Sequence, residues 1–509
     1  MHTPVSEESE PDASAEEGVG VLNWDIDKEY RPGRLWIIGR AALAVALMLV
    51  YFVLGATLGV GLCYLAYRQG SVTIIGLLCM VPGTFILVFL LPFRASFAEP
   101  GPRLDPRQQP QLFEKVNKLA LLTAQPAPEE IYLTDYVNAG VGQRGGIMGL
   151  GSRRFMVIGL PLLQLLTVSQ FEAVLAHEFG HFHGRDTGFL LLWLYRTRSH
   201  IALTTVLLTR NPLAPVAPLS WFIGAPFKWY GTLFMRATQT VCRIQERAAD
   251  RLAANIAGAQ ASAGALRTIH RNCDAFRDYL HDEVMPAVRR GYKPPLMEGF
   301  TLYLQSERIS SRLDEFVKKD LAEGRSDPDD SHPPLRERLA AIEHLPAGKA
   351  GDSSPALSLL DEPAELEARM FSAYPGLEPI SWEEVGRNVV IPNLERSWRH
   401  HYHDLRDVTL DSLPSTAATL IISLNVPYIE KYNYAPGILS DALACVLLRE
   451  GWQLDHGPGY LWMRRGDAAL NPSDLIKEMR SPEFSQAKWR EMLTRYQLDP
   501  AISLAPPSS

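Results

Sequence analysis

The sequence predicts an α+β chain: a mainly helical domain with a small sheet, preceded by an N-terminal transmembrane helical hairpin and followed by a small C-terminal α/β accessory domain. Three observations predict it. Two long early stretches, Ala41 to Tyr67 and Ser71 to Phe93, contain no charged side chain. The middle of the chain carries helical periodicity around two i,i+4 pairs of metal-ligand types, His177 with His181 and Glu246 with Asp250. Beyond a Gly-, Ser- and Asp-rich stretch, β-like runs such as Thr419 to Val426 alternate with helical patterns such as Ser440 to Glu450.

Residues 1–30 hold Glu7, Glu8, Glu10, Asp12, Glu16 and Glu17, with no Lys or Arg before Lys28. Such a composition cannot bury enough apolar area to offset chain entropy, so this is expected to be a disordered acidic tail. The charge-free stretches that follow each suffice to cross a hydrocarbon core of about 30 Å at roughly 1.5 Å per residue, and residues 35–95 are read as a hairpin. A cleaved signal peptide does not fit, because the preceding segment is long and acidic. Lys28, Arg31, Arg34 and Arg40 precede the hairpin, Arg94, Arg103 and Arg107 follow it, and Arg68 lies between. The excess of cations at the two outer ends predicts that both face the cytoplasm, the inner membrane being the bilayer if the chain is bacterial. The five cysteines are scattered and odd in number, which fits packed thiols in a reducing compartment.

The run Leu175-Ala176-His177-Glu178-Phe179-Gly180-His181 is the most informative stretch. Positions i and i+4 share a helix face, so His177 and His181 can offer imidazole nitrogens to one Zn²⁺, with Glu178 beside it as general base. A helix is supported by a capping-box pattern at Ser169 and Glu172 and by the apolar face of Phe171, Val174, Leu175, Phe179 and Phe182, with Gly184 as its stop. Three protein ligands are needed for a site with a fourth position open to water. Glu246 can be the third, and Asp250, one turn on, can hold the second nitrogen of a ligating histidine. One Zn²⁺ per chain is expected.

The apolar region between the two pairs, 187–234, is interrupted by Arg196, Arg198, Arg210 and Lys228 and by Pro212, Pro215, Pro218 and Pro226. A cation near mid-bilayer costs about 2.5–3.5 kcal/mol. A membrane-dipping or interfacial hairpin is therefore favoured over a second full transmembrane pair. Either would hold the catalytic cleft against the bilayer.

The arrangement of His177-Glu178-x-x-His181 and Glu246-x-x-x-Asp250 resembles the HtpX and CAAX prenyl endopeptidase (Ste24-like) family of membrane-associated zinc metallopeptidases. Val137-Asn138-Ala139-Gly140 resembles the strand that precedes the active-site helix in that family, and Phe155-Met156-Val157-Ile158-Gly159-Leu160 its following strand and turn. Ser331-His332-Pro333-Pro334-Leu335-Arg336-Glu337-Arg338 resembles its downstream His-Pro element. The sequence departs from the family at Gly140, where an aromatic residue is common. The resemblance implies a zincin-like metallopeptidase domain over 105–345. It also implies a multi-pass membrane protein that cleaves peptide bonds in membrane or misfolded proteins. Asn138 is a candidate for substrate alignment on an edge strand, and His332 for contact with the transition-state oxyanion.

Residues 346–357 are read as a linker and 358–509 as the soluble accessory domain, in which no catalytic set is recognisable. His400, His401 and His403 with Asp404 are read as solvated rather than metal-binding. A net charge of −7 provides no basic field for nucleic acid. The competing class is a membrane-anchored scaffold or chaperone-like protein with a structural or vestigial zinc site, distinguished by bound metal without peptide cleavage.

Overall fold

A computed structural model describes residues 34–70, 73–90, 97–145, 152–181, 201, 217–324, 333–348, 351–419 and 428–507. The acidic tail, Gly184, the arginines at 196, 198 and 210, and His332 lie outside the described residues.

Two apolar helices come first, α1 (Arg34–Gln69) and α2 (Ile74–Leu90), joined by a short turn. Within α1, Ala42–Gln69 is long and apolar enough to cross a membrane; the apolar part of α2, Ile74–Val88, is shorter. Glycines set their approach: a Cβ on Gly59 would lie 2.7 Å from Leu87, and one on Gly83 would lie 2.9 Å from the Gly59 carbonyl. Outward, α1 and α2 expose Val53, Leu54, Val60, Ile74 and Val81. Aliphatic faces left bare in this way are expected of helices that meet lipid rather than water.

The chain forms two compact units, one of residues 1–270 with 320–363, which includes the hairpin, the other of residues 271–319 with 364–509. In the first, α3 (Pro110–Leu122) precedes a sheet of β1 (Glu130–Thr134), β2 (Ala139–Arg144) and β3 (Arg153–Gly159) in the order β1-β3-β2. β3 runs parallel to β1 and antiparallel to β2, with Ile131 opposite Met156 and Val141 opposite Met156 on its other side. Alternation places Ile131, Leu133, Met156 and Ile158, all fully buried, on one face. Among the described residues, β2 is left as an edge. There follow α4 (Leu160–Leu165), α5 (Val168–Gly180), α6 (Ala217–Ala257) and the start of α7 (Ala259–Tyr279); α8 (Leu296–Gln305) and most of α9 (Glu307–Glu323) belong to the second unit, and α10 (Leu335–Ile342) to the first.

α6 corrects one expectation. Pro218 and Pro226 do not break the apolar stretch, because the helix runs from Ala217 past both. Pro218 falls in the first turn, where a missing N–H has no partner to lose, and Pro226 removes a single bond from a long helix. Near its start α6 packs on the hairpin: Tyr230 and Phe234 are buried with Ala44, Met48, Tyr51 and Ile86, and the Tyr230 hydroxyl donates to the Leu47 carbonyl.

The segment read as a linker is folded onto the first unit. Val168 N–H donates to the Ser354 carbonyl (2.8 Å), Ser169 N–H to Asp352 (3.1 Å) and Ala259 N–H to Pro346 (3.0 Å). In the second unit, α11 (Leu413–Thr419) and α12 (Tyr428–Arg449) pack with an antiparallel sheet of β4 (Gln453–Gly457), β5 (Tyr460–Arg465) and β6 (Ala468–Leu470). Thr419 thus closes a helix rather than opening a strand, and residues 420–427 are outside the described set. None of the five cysteines, all of them among the described residues, forms a disulfide; Cys273 is exposed, unlike the packed thiols expected.

Candidate metal centre

The site is built on α5. Its N-cap is Thr167, whose hydroxyl accepts from Gln170 N–H (3.3 Å) while the Gln170 side chain accepts from Thr167 N–H (3.1 Å). The capping box therefore sits two residues before the Ser169/Glu172 pair that the sequence suggested. The extended Thr167 backbone (ψ 162°) sets the start there. Ser169 and Glu172 have other partners: the Ser169 hydroxyl donates to the Asp352 carbonyl (3.0 Å), and Glu172 accepts from Lys115 (2.7 Å). Phe171, Val174, Leu175 and Phe179 are buried as the helical period requires. This leaves His177, Glu178 and His181 at the C-terminal end, on partly exposed ground.

α6 supplies the second wall. It comes so close that a Cβ on Gly180 would lie 2.9 Å from the Ala249 backbone, so the two helices meet where one has no side chain and the other only a methyl. Glu246 and Asp250, 1% and 2% exposed, flank Ala249 on this contact face.

Four of the site residues expected from sequence converge here. His177 Nε2 lies 3.5 Å from one Glu246 oxygen and His181 Nε2 3.7 Å from the other, and the two rings are 4.8 Å apart and nearly perpendicular. The three prospective ligand atoms all lie within 4.8 Å of one another. Donors held about 2.0–2.1 Å from one tetrahedral Zn²⁺ stand roughly 3.3 Å apart, so the spacing suits that ion. Charge agrees: the carboxylates of Glu178, Glu246 and Asp250 all act on Arg338, and a dication would help offset this gathering of negative charge. The residues present fit zinc.

Asp250 lies against the first histidine. Its Oδ1 is 2.9 Å from His177 Nδ1, the nitrogen facing away from Glu246. Sequence reading gave no role to Arg338, on α10, whose Nε and Nη2 donate to the two Asp250 oxygens at 2.9 and 2.6 Å. Nη2 also lies 3.8 Å from Glu246. A fork of this kind matches a carboxylate in two places at once. The signal that could have found it was periodicity: Leu335, Leu339 and Ile342 are buried against Ala254 and Ala263, and the turn between them carries an arginine inward.

These contacts shift the titrations. Burial opposes charge on the His177 ring, but the carboxylates of Asp250 and Glu246 outweigh it and push the metal-free ring up to about 9. Burial would raise Asp250, yet the Arg338 fork and His177 hold it down at about 2. Burial likewise opposes the Arg338 charge, and Asp250 more than compensates.

Asn138 stands apart from this cluster. It is exposed; its side-chain oxygen accepts from the next N–H, of Ala139 (2.9 Å), and its carbonyl from Gly159 (2.9 Å), so it fixes the start of the edge strand β2. In the second unit, His401 is buried with its Nδ1 3.0 Å from Asp404. Among the described residues, the one group of three or more His, Cys, Asp or Glu side chains close enough to share an ion is His177, His181 and Glu246.

No curated protein and no solved structure matches the chain. Residues 106–346, which span the sheet, both metal-site helices and α10, match Peptidase family M48. The histidine pair, its glutamate and the distal carboxylates are gathered inside that span, so the segment that is similar to Peptidase family M48 is the one that carries the candidate metal site, which supports a metallopeptidase.

Proposed function

We propose that the protein is a membrane-bound zinc-dependent endopeptidase that hydrolyses peptide bonds in membrane or misfolded proteins, in quality control or processing. The observation that carries it is the convergence of two imidazole Nε2 atoms on the two oxygens of the Glu246 carboxylate, with Glu178 beside them on the same helix. His177, His181 and Glu246 would hold the metal. Bound there, Zn²⁺ supplies the Lewis acidity that polarises a peptide carbonyl and acidifies water.

The chain's own groups do the rest. Glu178 takes the proton of the attacking water and returns it to the leaving amine. Asp250 fixes the tautomer and orientation of His177 by holding its Nδ1, and Arg338 in turn fixes Asp250. The unpaired side of β2 offers backbone groups to an extended peptide, a mode that tolerates varied side chains. Gly140 leaves that strand without a side chain over Val157. The apolar hairpin supports a membrane location, with the catalytic unit on the cytoplasmic side as the flanking cations indicate.

The test is metal content and casein cleavage of detergent-purified protein, with and without chelator, in wild type, Glu178→Gln and Glu246→Ala. Glu178→Gln should retain zinc and lose about 10²–10⁴ in turnover, the usual worth of a positioned general base. Glu246→Ala should lose zinc. Equal zinc in all three with no cleavage would instead indicate a scaffold.

A further inference from the structure

From the way α6 leaves the hairpin, we infer that the metal site stands about 24 Å above the hydrocarbon boundary of the bilayer. It would then act only on polypeptide that extends at least about seven residues beyond a membrane span. The inference rests on the proposed membrane-bound peptidase and adds the class of bond that it can reach.

The level of that boundary comes from α1. Its apolar stretch, Ala42–Gln69, has 28 residues, about 42 Å at 1.5 Å per residue, and so exceeds a hydrocarbon core of about 30 Å. Part of it must project. Measured back from Arg68, a core of that thickness ends near Leu47, about 31 Å away along the helix. That is where α6 arrives: Tyr230 donates to the Leu47 carbonyl, and its ring lies 5.6 Å from that of Tyr51. Lys228 and Trp229, both exposed and Trp229 by 70%, sit at the same level. A cation and aromatic rings together are the side chains that favour a membrane–water boundary.

A second register, with the surface at Arg40 and Arg236, would sink Lys228 about 12 Å into hydrocarbon, at a cost of about 2.5–3.5 kcal/mol near the centre. The first register avoids that cost and leaves exposed Arg236 among the headgroups. Past Tyr230, α6 carries Arg236, Arg243, Glu246, Arg247 and Asp250, which must leave the bilayer rather than follow the apolar length of α1. The sixteen residues from Tyr230 to Glu246 then span about 24 Å along the helix axis, which is the height where α6 follows the bilayer normal. An extended chain rises about 3.3 Å per residue, so about seven residues are needed to reach the metal.

Two measurements on the full chain in phosphatidylcholine vesicles test this. The first places a polarity-sensitive fluorescent amino acid at Trp229, Leu233 or Arg236 and quenches it with lipids brominated at known depths. Shallow quenching at Trp229 that disappears by Arg236 is expected; mid-chain quenching at Trp229 with surface quenching at Arg236 would overturn the height. The second uses one cleavable sequence, either free in solution or starting about 3, 7 or 12 residues from a transmembrane anchor. Cleavage of the free peptide and of the distant sites, lost at the nearest, is expected. Equal cleavage at every distance would sink the inference while leaving the peptidase standing. An uncut free peptide would count against the peptidase, and the quenching profile would then decide the height by itself.

Discussion

At the scale of single residues, Arg338 is the group whose loss should be felt furthest from its own atoms. Arg338→Met leaves Asp250 buried without its fork, a change of about 3–5 kcal/mol in stability when one partner of a buried pair is removed. His177 then loses its fixed neighbour, and zinc affinity read by competition with a chelator should fall about 10–100-fold, with Arg338→Lys intermediate. Unchanged affinity in Arg338→Met would assign the arginine to folding alone. His177 also predicts a proton count. Its metal-free ring, pushed up to about 9, is protonated near neutrality, so zinc entry should release about one proton per site. Calorimetry in buffers of different ionisation enthalpy measures this, and zinc affinity should weaken as pH falls below about 9.

Between elements, the decisive contact is α5 against α6 at Gly180 and Ala249. Gly180→Val inserts a branched side chain where even a Cβ meets backbone, and should cost about 1–3 kcal/mol by overpacking while separating Glu246 from the histidines. Loss of zinc with secondary structure retained by circular dichroism is the expected result; full zinc binding would show that the helices can part without harm to the site. Thr167→Ala removes the cap of α5 and should lower stability by about 0.5–2 kcal/mol, leaving turnover of the folded fraction unchanged. The periodicity of this helix was legible in the sequence because Phe171, Leu175 and Phe179 recur at helical spacing. Its starting residue was not. Thr167/Gln170 and Ser169/Glu172 both satisfy the capping pattern, and the choice between them is made by residues 352–354, distant in sequence, which occupy the N–H groups of Val168 and Ser169.

Over the whole molecule, the linked His177 and Asp250 titrations set how the metal-free protein responds to pH. His177 has a raised folded pKa, so its contribution is complete below about 6.5 and is lost as pH rises through about 9. Asp250 has a lowered one, so its contribution is present above about 3.9 and is lost as pH falls through about 2. Chelator-treated wild type should therefore exceed a His177→Asn variant in melting temperature most clearly between about pH 4 and 6.5, the margin shrinking towards pH 9. A margin that does not change over that range would mean that the ring is not charged in the metal-free fold.

The sequence by itself brought forward the candidate metal ligands and the apolar helices, because both are local: an i,i+4 histidine pair needs only one helical face, and hydrophobic length needs only counting. It also placed Asp250 one turn beyond Glu246, where a partner for a histidine nitrogen was expected. Tertiary structure alone decided that Arg338 holds Asp250, that Gly180 lets α6 reach α5, and that Tyr230 ties the helix carrying Glu246 to the hairpin. Each of these joins residues far apart in the chain. Such contacts depend on how helices cross and where a side chain is missing, and hydrophobic periodicity carries no record of either.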